Sequence, residues 1–268
     1  MMQRMNDLKS RLGLLRSELI YYGKPFNRRR LLQFYRQFAP AGALCFDIGA
    51  HVGNRTRAFL DIGARVIAVE PQPHCADYLQ KRFGRHPGFT LIPKAIGAQT
   101  GAATLHINRL NPTISTLAPA SWRKAMAGTA PGGERWDHHV EVDVITLDHL
   151  IDQYGVPHFC KIDVEGWEGQ ALSGLSHAIP ALSFEFISFE KAKAWECTQR
   201  LRSLGAYRFN WSFREQLRLA APDWGGSQHV EQMLHALGSR IVSGDIYARR
   251  VSWRLLGTAT DSRQELKP

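Results

Sequence analysis

Cys45-Phe46-Asp47-Ile48-Gly49-Ala50-His51-Val52-Gly53-Asn54-Arg55-Thr56 reads as a strand ending in a carboxylate, a turn with two glycines and the start of a helix. That arrangement brings backbone N–H groups against a nucleotide-like ligand, and glycine lets the backbone come close. A second apolar run, Arg65-Val66-Ile67-Ala68-Val69-Glu70-Pro71, also ends in a carboxylate. An acid about 20 residues after a glycine turn, at the tip of the second strand, is placed to grip a ribose diol. The two stretches together predict a nucleoside-containing cofactor.

The turn also narrows the cofactor. A dinucleotide site is marked by G-x-G-x-x-G, whose middle glycine makes room for a pyrophosphate. Here the pattern is Asp47-x-Gly49-x-x-x-Gly53, with Ala50 and His51 where that glycine would fall. A leading carboxylate repels phosphates and suits an ammonium group. S-adenosyl-L-methionine has an ammonium, a sulfonium and a ribose, and no phosphate.

The third stretch is Phe159-Cys160-Lys161-Ile162-Asp163-Val164-Glu165-Gly166-Trp167-Glu168. It reads as a strand, a turn at Gly166 and a new helix, with two carboxylates spaced to share one face. Together with the Asp47 and Glu70 motifs, it resembles the FkbM family of S-adenosylmethionine-dependent methyltransferases, whose signature is a Lys-Ile-Asp-Val-Glu-Gly segment. The resemblance covers about residues 43–250 and includes Thr146-Leu147-Asp148-His149-Leu150 ahead of the signature. His51 stands where the family more often has Asn, and Trp167 where it often has a smaller or more polar residue.

The resemblance implies the α/β class I methyltransferase (Rossmann-like) fold, a mostly parallel seven-stranded sheet with an antiparallel last strand, preceded here by N-terminal helices. The expected layout is a helical extension over 1–40, the methyltransferase domain over 41–252, and a polar tail over 253–268. Strand and helix signals alternate up to Phe89, as a parallel sheet with crossover helices requires. The rhythm breaks at 110–137, a Gly-, Pro-, Ser- and Thr-rich stretch long enough to be an acceptor lid. Its Trp122 and Trp136 would either stack on a flat acceptor or anchor the loop.

Methyl transfer to a hydroxyl needs positioning and a proton acceptor. Asp163 is the first candidate base and Glu185, at the next strand end, the second; His51 is the third, since imidazole titrates near neutrality. Each has a plainer alternative as a hydrogen-bonding or ion-paired group. Asp47, Gly49 and Gly53 are expected along the methionine end, Glu70 on the ribose hydroxyls, and Glu165 with the tryptophans on the acceptor. Ala95 and Ile96 are the adenine edge that the resemblance implies.

Composition bounds the rest. The chain has 268 residues, a formal charge of +10 and four scattered cysteines, which fits one cytoplasmic α/β domain with buried thiols. The opening residues lack the apolar core of a signal peptide, and no apolar run is long enough for a membrane span. The basic excess, clustered at Arg28-Arg29-Arg30, Lys81-Arg82 and Arg249-Arg250, is compatible with nucleic acid, an acidic or lipid-linked acceptor, peripheral membrane contact or a solvated surface. No metal site is expected, because His138 and His139 are strand neighbours facing opposite sides. A base-methylating Asn/Asp-Pro-Pro-Tyr/Phe motif is missing after the fourth strand, so no specific nucleic acid is expected. The expected partner is a small-molecule or glycan hydroxyl acceptor. Two other readings stay open: a nicotinamide-dependent oxidoreductase, and a non-catalytic nucleic-acid-binding module on this fold. Finally, Met1, Met5, Leu8, Leu12, Leu15, Leu19 and Tyr22 form a heptad-like stripe. It is expected to dock on the domain or to pair with a second copy, and Gly13 weakens that helix by about 1 kcal/mol relative to Ala.

Overall fold

The computed structural model describes residues 2–129 and 133–252, with side chains from residue 8 onward. The expected tail at 253–268, and the side chains of Met1 and Met5, lie outside the described residues. In chain order the elements are α1 (Met2–Tyr22), α2 (Asn27–Tyr35), β1 (Leu44–Ile48), α3 (Asn54–Ile62), β2 (Arg65–Val69), α4 (Pro73–Phe83), β3 (Phe89–Ile92), β4 (Ala95–Ile96) and β5 (Gly101–Ile107). Then follow α5 (Ala120–Ala127), β6 (His138–Ile145), α6 (Leu147–Tyr154), β7 (Phe159–Ile162), α7 (Glu168–Ser173), β8 (Ala181–Ile187), α8 (Lys191–Leu204), β9 (Tyr207–Phe213), α9 (Ser227–Ala236) and β10 (Ser243–Arg250).

Seven strands form one sheet in the order β3-β2-β1-β7-β8-β10-β9. The pairs from β3 to β8 are parallel, and β10 runs antiparallel to both neighbours, so the class I layout is as expected. Strands covered on both faces must be apolar throughout. β1 is buried at every position, and β7 likewise. Leu31, Phe34 and Tyr35 of α2, with Phe59 and Leu79, cover one face, where Phe38 stacks on Phe159 and Tyr247. Leu150, Leu172, Leu201 and Val230 of α6 to α9 cover the other. Helix α2 is therefore part of the core, and the expected boundary after residue 40 is not a packing boundary. All four cysteines are free and buried: Cys45 and Cys160 in the sheet, Cys75 on α4 and Cys197 on α8.

The break in rhythm after β3 is a second, three-stranded sheet, β4-β6-β5. In the described part of the stretch 110–137 the chain carries a 3-10 turn at Pro112–Ile114 and helix α5. Helix α1 braces it. Ser10, Gly13 and Ser17 are the buried face of α1, and a Cβ on Gly13 would lie 2.1 Å from the Arg109 carbonyl oxygen. The leucine stripe faces the other way. The expected docking of that stripe on the domain is therefore corrected: small residues make the close contact, which a leucine side chain would prevent.

Gly49 fixes the spacing at the centre of the sheet. Its φ is +81°, and a Cβ there would lie 1.8 Å from the Asp163 carbonyl oxygen. Gly49→Ala should therefore push the ends of β1 and β7 apart, at a cost of about 3 kcal/mol or more. Urea unfolding checks this; a loss below about 1 kcal/mol, within the ordinary range for point changes, would remove the constraint.

Candidate functional site

Two cavities meet at the carboxyl ends of β1, β2, β7 and β8, where open α/β sheets place ligands. The first, about 500 Å³, runs from Glu70 and Gln72 past Ala95, Ile96 and Leu105 to Gly49 and Asp163. The second, about 910 Å³, is polar and holds Asp47, His51, Arg55, Lys161, Asp163, Glu165, Glu185 and Asp245. Gly49, His51, Thr113, Asp163 and Glu165 belong to both walls.

Backbone amides hold Glu70. Its Oε2 accepts from His51 N at 2.7 Å and its Oε1 from Gln72 N at 2.8 Å. Burial pushes its carboxyl up to about 7, against those two bonds. Ala95 and Ile96 supply an apolar wall beside it, buried against β6 by parallel pairing. Thr113, Ser115, Thr116 and Leu117 close the same cavity. The stretch expected as an acceptor lid thus roofs the Glu70 cavity with its first part.

The turn residues divide their roles. Asp47 is buried, its Oδ2 accepts from Thr56 Oγ1 at 2.5 Å, and burial raises its carboxyl above the ordinary range. Gly53, expected along the methionine end, lies in neither wall; a Cβ there would meet Leu79 and Phe83 at 2.6 Å, so it serves helix packing. His51 has a φ of +49° and packs edge-on to Tyr21. Its Nε2 is buried without a partner among the described residues, and burial pulls the imidazole down to about 4. A neutral ring of such low basicity is a poor proton acceptor at neutral pH.

The second cavity centres on a buried ammonium. Lys161, 1 % exposed, donates from Nζ to Asp245 Oδ1 at 2.7 Å and to Asp163 Oδ2 at 3.0 Å. Burial alone would lower its pKa, and the two carboxylates outweigh it. Asp163 shows the reverse balance: burial raises it, but Lys161 and Arg55 hold it below the ordinary carboxyl range. Oxygens of Asp163, Glu165 and Glu185 all lie within 4.8 Å of one another. Burial and this crowding push both glutamates well above their ordinary values. Carboxyls at that spacing share a proton or a cation.

Sequence spacing assigns no role to several members of this network. Arg55 Nη2 donates to both oxygens of Glu215 at 2.7 and 2.8 Å, across 160 residues. Asp245 comes from the antiparallel strand, directly opposite Glu185. Glu168 Oε1 accepts from Val164 N and Gly166 N, which shapes the signature turn. Lys161 was visible inside that signature but carried no assigned role. Trp122 is fully buried, and its Nε1 occupies the space a Gly166 Cβ would need. Trp136 donates to the Ile114 carbonyl oxygen at 2.8 Å. Both rings anchor the 110–137 stretch, and Trp122 also lines a third cavity with Glu165 and Glu185.

Residues 47–241 match the model of a family described as the Methyltransferase FkbM domain. Hexuronic acid methyltransferase AglP of Haloferax volcanii is 25% identical over 144 residues, 53% of this chain and 54% of that protein. The chain thus spans about half the length of that curated relative. Among solved structures, a precorrin-6y C5,15-methyltransferase from Geobacter metallireducens aligns over 85% of this chain and 89% of its own, with a TM-score of 0.45 and 10% identity. TYW2 of Pyrococcus horikoshii, solved with MeSAdo, aligns over 85% and 64%, with a TM-score of 0.40 and 11% identity.

Two outcomes follow from the charges. Lys161→Met takes away the ammonium between Asp163 and Asp245, leaves only Arg55 to offset them, and should cost about 3–5 kcal/mol, read by urea unfolding; a loss under about 1 kcal/mol would deny the ammonium its structural weight. Because the folded Glu70 titrates above an ordinary carboxyl, its contribution to stability is full below pH 4.5 and fades as pH rises through about 7. A ligand donating hydroxyl protons needs the ionised form, so S-adenosylhomocysteine affinity should rise about tenfold between pH 6 and 8. Glu70→Gln should bind more weakly and flatten that profile; calorimetry showing the same slope in the variant would assign the titration elsewhere.

Proposed function

The chain belongs to the FkbM methyltransferase family, and we propose that it methylates a hydroxyl group of a sugar, a glycan or a similar small acceptor with S-adenosylmethionine. The observation that carries this reading is the shared wall: a cavity ending at Glu70 opens, at Gly49 and Asp163, onto a cavity lined by carboxyls. A sugar acceptor is supported by the similarity to the hexuronic acid methyltransferase of Haloferax volcanii, over about half of each chain.

The residues present fit that cofactor. Both Glu70 oxygens already accept one backbone bond and keep further lone pairs for a ribose diol. Gly49, packed against the Asp163 carbonyl, lies in the walls of both cavities. Ala95 and Ile96 offer an apolar edge to an adenine, and the Asp47 carboxylate stands on the side that would take an ammonium. When bound, S-adenosylmethionine supplies a methyl group made electrophilic by its sulfonium.

The chain supplies position and a place for the proton. A sugar hydroxyl becoming an ether must release its proton to a group within hydrogen-bond reach. Lys161 keeps Asp163 ionised, while burial and the neighbouring acids hold Glu185 beside it well above the ordinary carboxyl range. We assign proton acceptance to this pair, with Asp163 as its ionised member, and acceptor hydrogen bonding to Glu165. His51 serves as a neutral wall.

Asp163→Asn keeps the size of the side chain and removes proton acceptance. Single-turnover transfer should slow by about 10²–10⁴-fold while S-adenosylhomocysteine affinity stays within about threefold. Slowing in Glu185→Gln alone would move the role to that residue, and loss of cofactor affinity in Asp163→Asn would place Asp163 in the cofactor wall. Thermal-shift stabilisation by a nicotinamide dinucleotide but not by S-adenosylhomocysteine would overturn the reading altogether.

A further inference from the structure

Helix α1 turns its apolar side outward. Leu8, Leu12, Leu15 and Leu19 are each 50% to 64% exposed, and Phe26, just past the helix, is 77% exposed. Steps of four, three and four put the leucines on one face. The opposite face is occupied by the Ser10, Gly13 and Ser17 contact, so the helix cannot roll its leucines inward without losing it. These five side chains are half of the large exposed hydrophobics among the described residues. Such a concentration marks an interaction surface.

The charges around it select the partner. Residues 8–30 contain seven cations (Lys9, Arg11, Arg16, Lys24, Arg28, Arg29, Arg30), of which Lys9 and Arg28 already pair with Asp137 and Asp61, and one acid, Glu18. Glu18 is committed to Tyr78 and Arg82. A second copy seated on the leucines would bring Lys9, Arg11 and Arg16, which flank the seam, against another basic set, and pairing requires opposite charges there. A nucleic acid would match the cations and leave the leucines in water. An anionic bilayer surface satisfies both. We propose that α1 and Phe26 form a docking face for anionic lipid, with the apolar side chains at the acyl boundary and the cations on headgroup phosphates. None of the described helices is long and apolar enough to cross a membrane, so this is a surface contact.

The position of the face gives it a use. Tyr21, at the end of α1, lines the carboxyl-lined cavity, and Tyr22 donates to the Val52 carbonyl oxygen on the glycine turn. A docked molecule holds that cavity beside the lipid headgroups, where an acceptor carried on a lipid would present its sugar. This use rests on the proposed function; the docking itself does not.

The test is flotation of the full chain with vesicles of phosphatidylcholine, alone or with about 30% phosphatidylglycerol, in low salt and in about 0.5 M salt. The protein should float with the anionic vesicles at low salt and at least about tenfold less with neutral ones or at high salt. Leu12→Gln/Leu15→Gln should weaken flotation by about tenfold or more. Its thermal midpoint and S-adenosylhomocysteine affinity should match the parent, which shows that the fold and cofactor cavity are intact whatever the acceptor proves to be. No flotation with anionic vesicles, or equal flotation of the double variant, overturns the proposal. So does light scattering that finds a dimer which the double variant dissociates, since the face would then belong to a second copy.

Discussion

Lys161 Nζ, held between Asp163 and Asp245, ties the end of a parallel strand to the one antiparallel strand of the sheet. An isolated ammonium or carboxylate could not stay there, because burial disfavours each charge alone. Together they fix three side chains in one arrangement, and the remaining acids are arrayed around them. Glu185 sits opposite Asp245 in the β8–β10 register, and Glu165 follows Asp163 on the signature turn. Tyr247 adds a hydroxyl to Asp245, completing the satisfaction of that side.

Burial acts on all the crevice carboxyls in the same direction, yet they do not end with the same charge. Glu70 and Glu168 are pushed up to about 7, and burial together with neighbouring acids holds Glu165 and Glu185 well above the ordinary carboxyl range. Asp163 alone among them has two cations, Lys161 and Arg55, strong enough to reverse the trend. The crevice therefore sets carboxyls with a raised proton affinity beside one whose proton affinity is lowered. Separation of neighbouring pKa values by environment is how one set of acids divides the work of binding and proton transfer.

Much of this was legible in the chain. Asp47, Glu70 and Asp163 each end an apolar run, and the period of the strands puts those ends on one edge of the sheet. The alternation of elements also fixed the parallel core. The rest depends on distance along the chain or on orientation. Arg55 and Glu215 are 160 residues apart and no spacing links them, so their pairing is visible only once the fold has formed. Gly53 looks like a ligand glycine in the sequence, whereas the space it leaves is filled by Leu79 and Phe83. A leucine stripe has the same period whether it faces a domain or the solvent. What settles α1 is the small face, Ser10, Gly13 and Ser17, whose fit against the Arg109 carbonyl no periodicity reports. Trp122 and Trp136, spaced across a polar loop, gave no sign which ring would be swallowed.

The four buried thiols have a consequence of another kind. Burial raises each above its ordinary value, so a folded molecule holds them as unreactive thiols rather than nucleophilic thiolates. They sit in separate layers: two on central strands, one on α4 and one on α8. Each reacts only when its own element opens, so the sequence in which an alkylating reagent reaches them maps local unfolding, element by element. Cys45 and Cys160 lie on the neighbouring strands β1 and β7, opposite Phe159 and Phe46, and their reaction records the parting of the sheet at its centre.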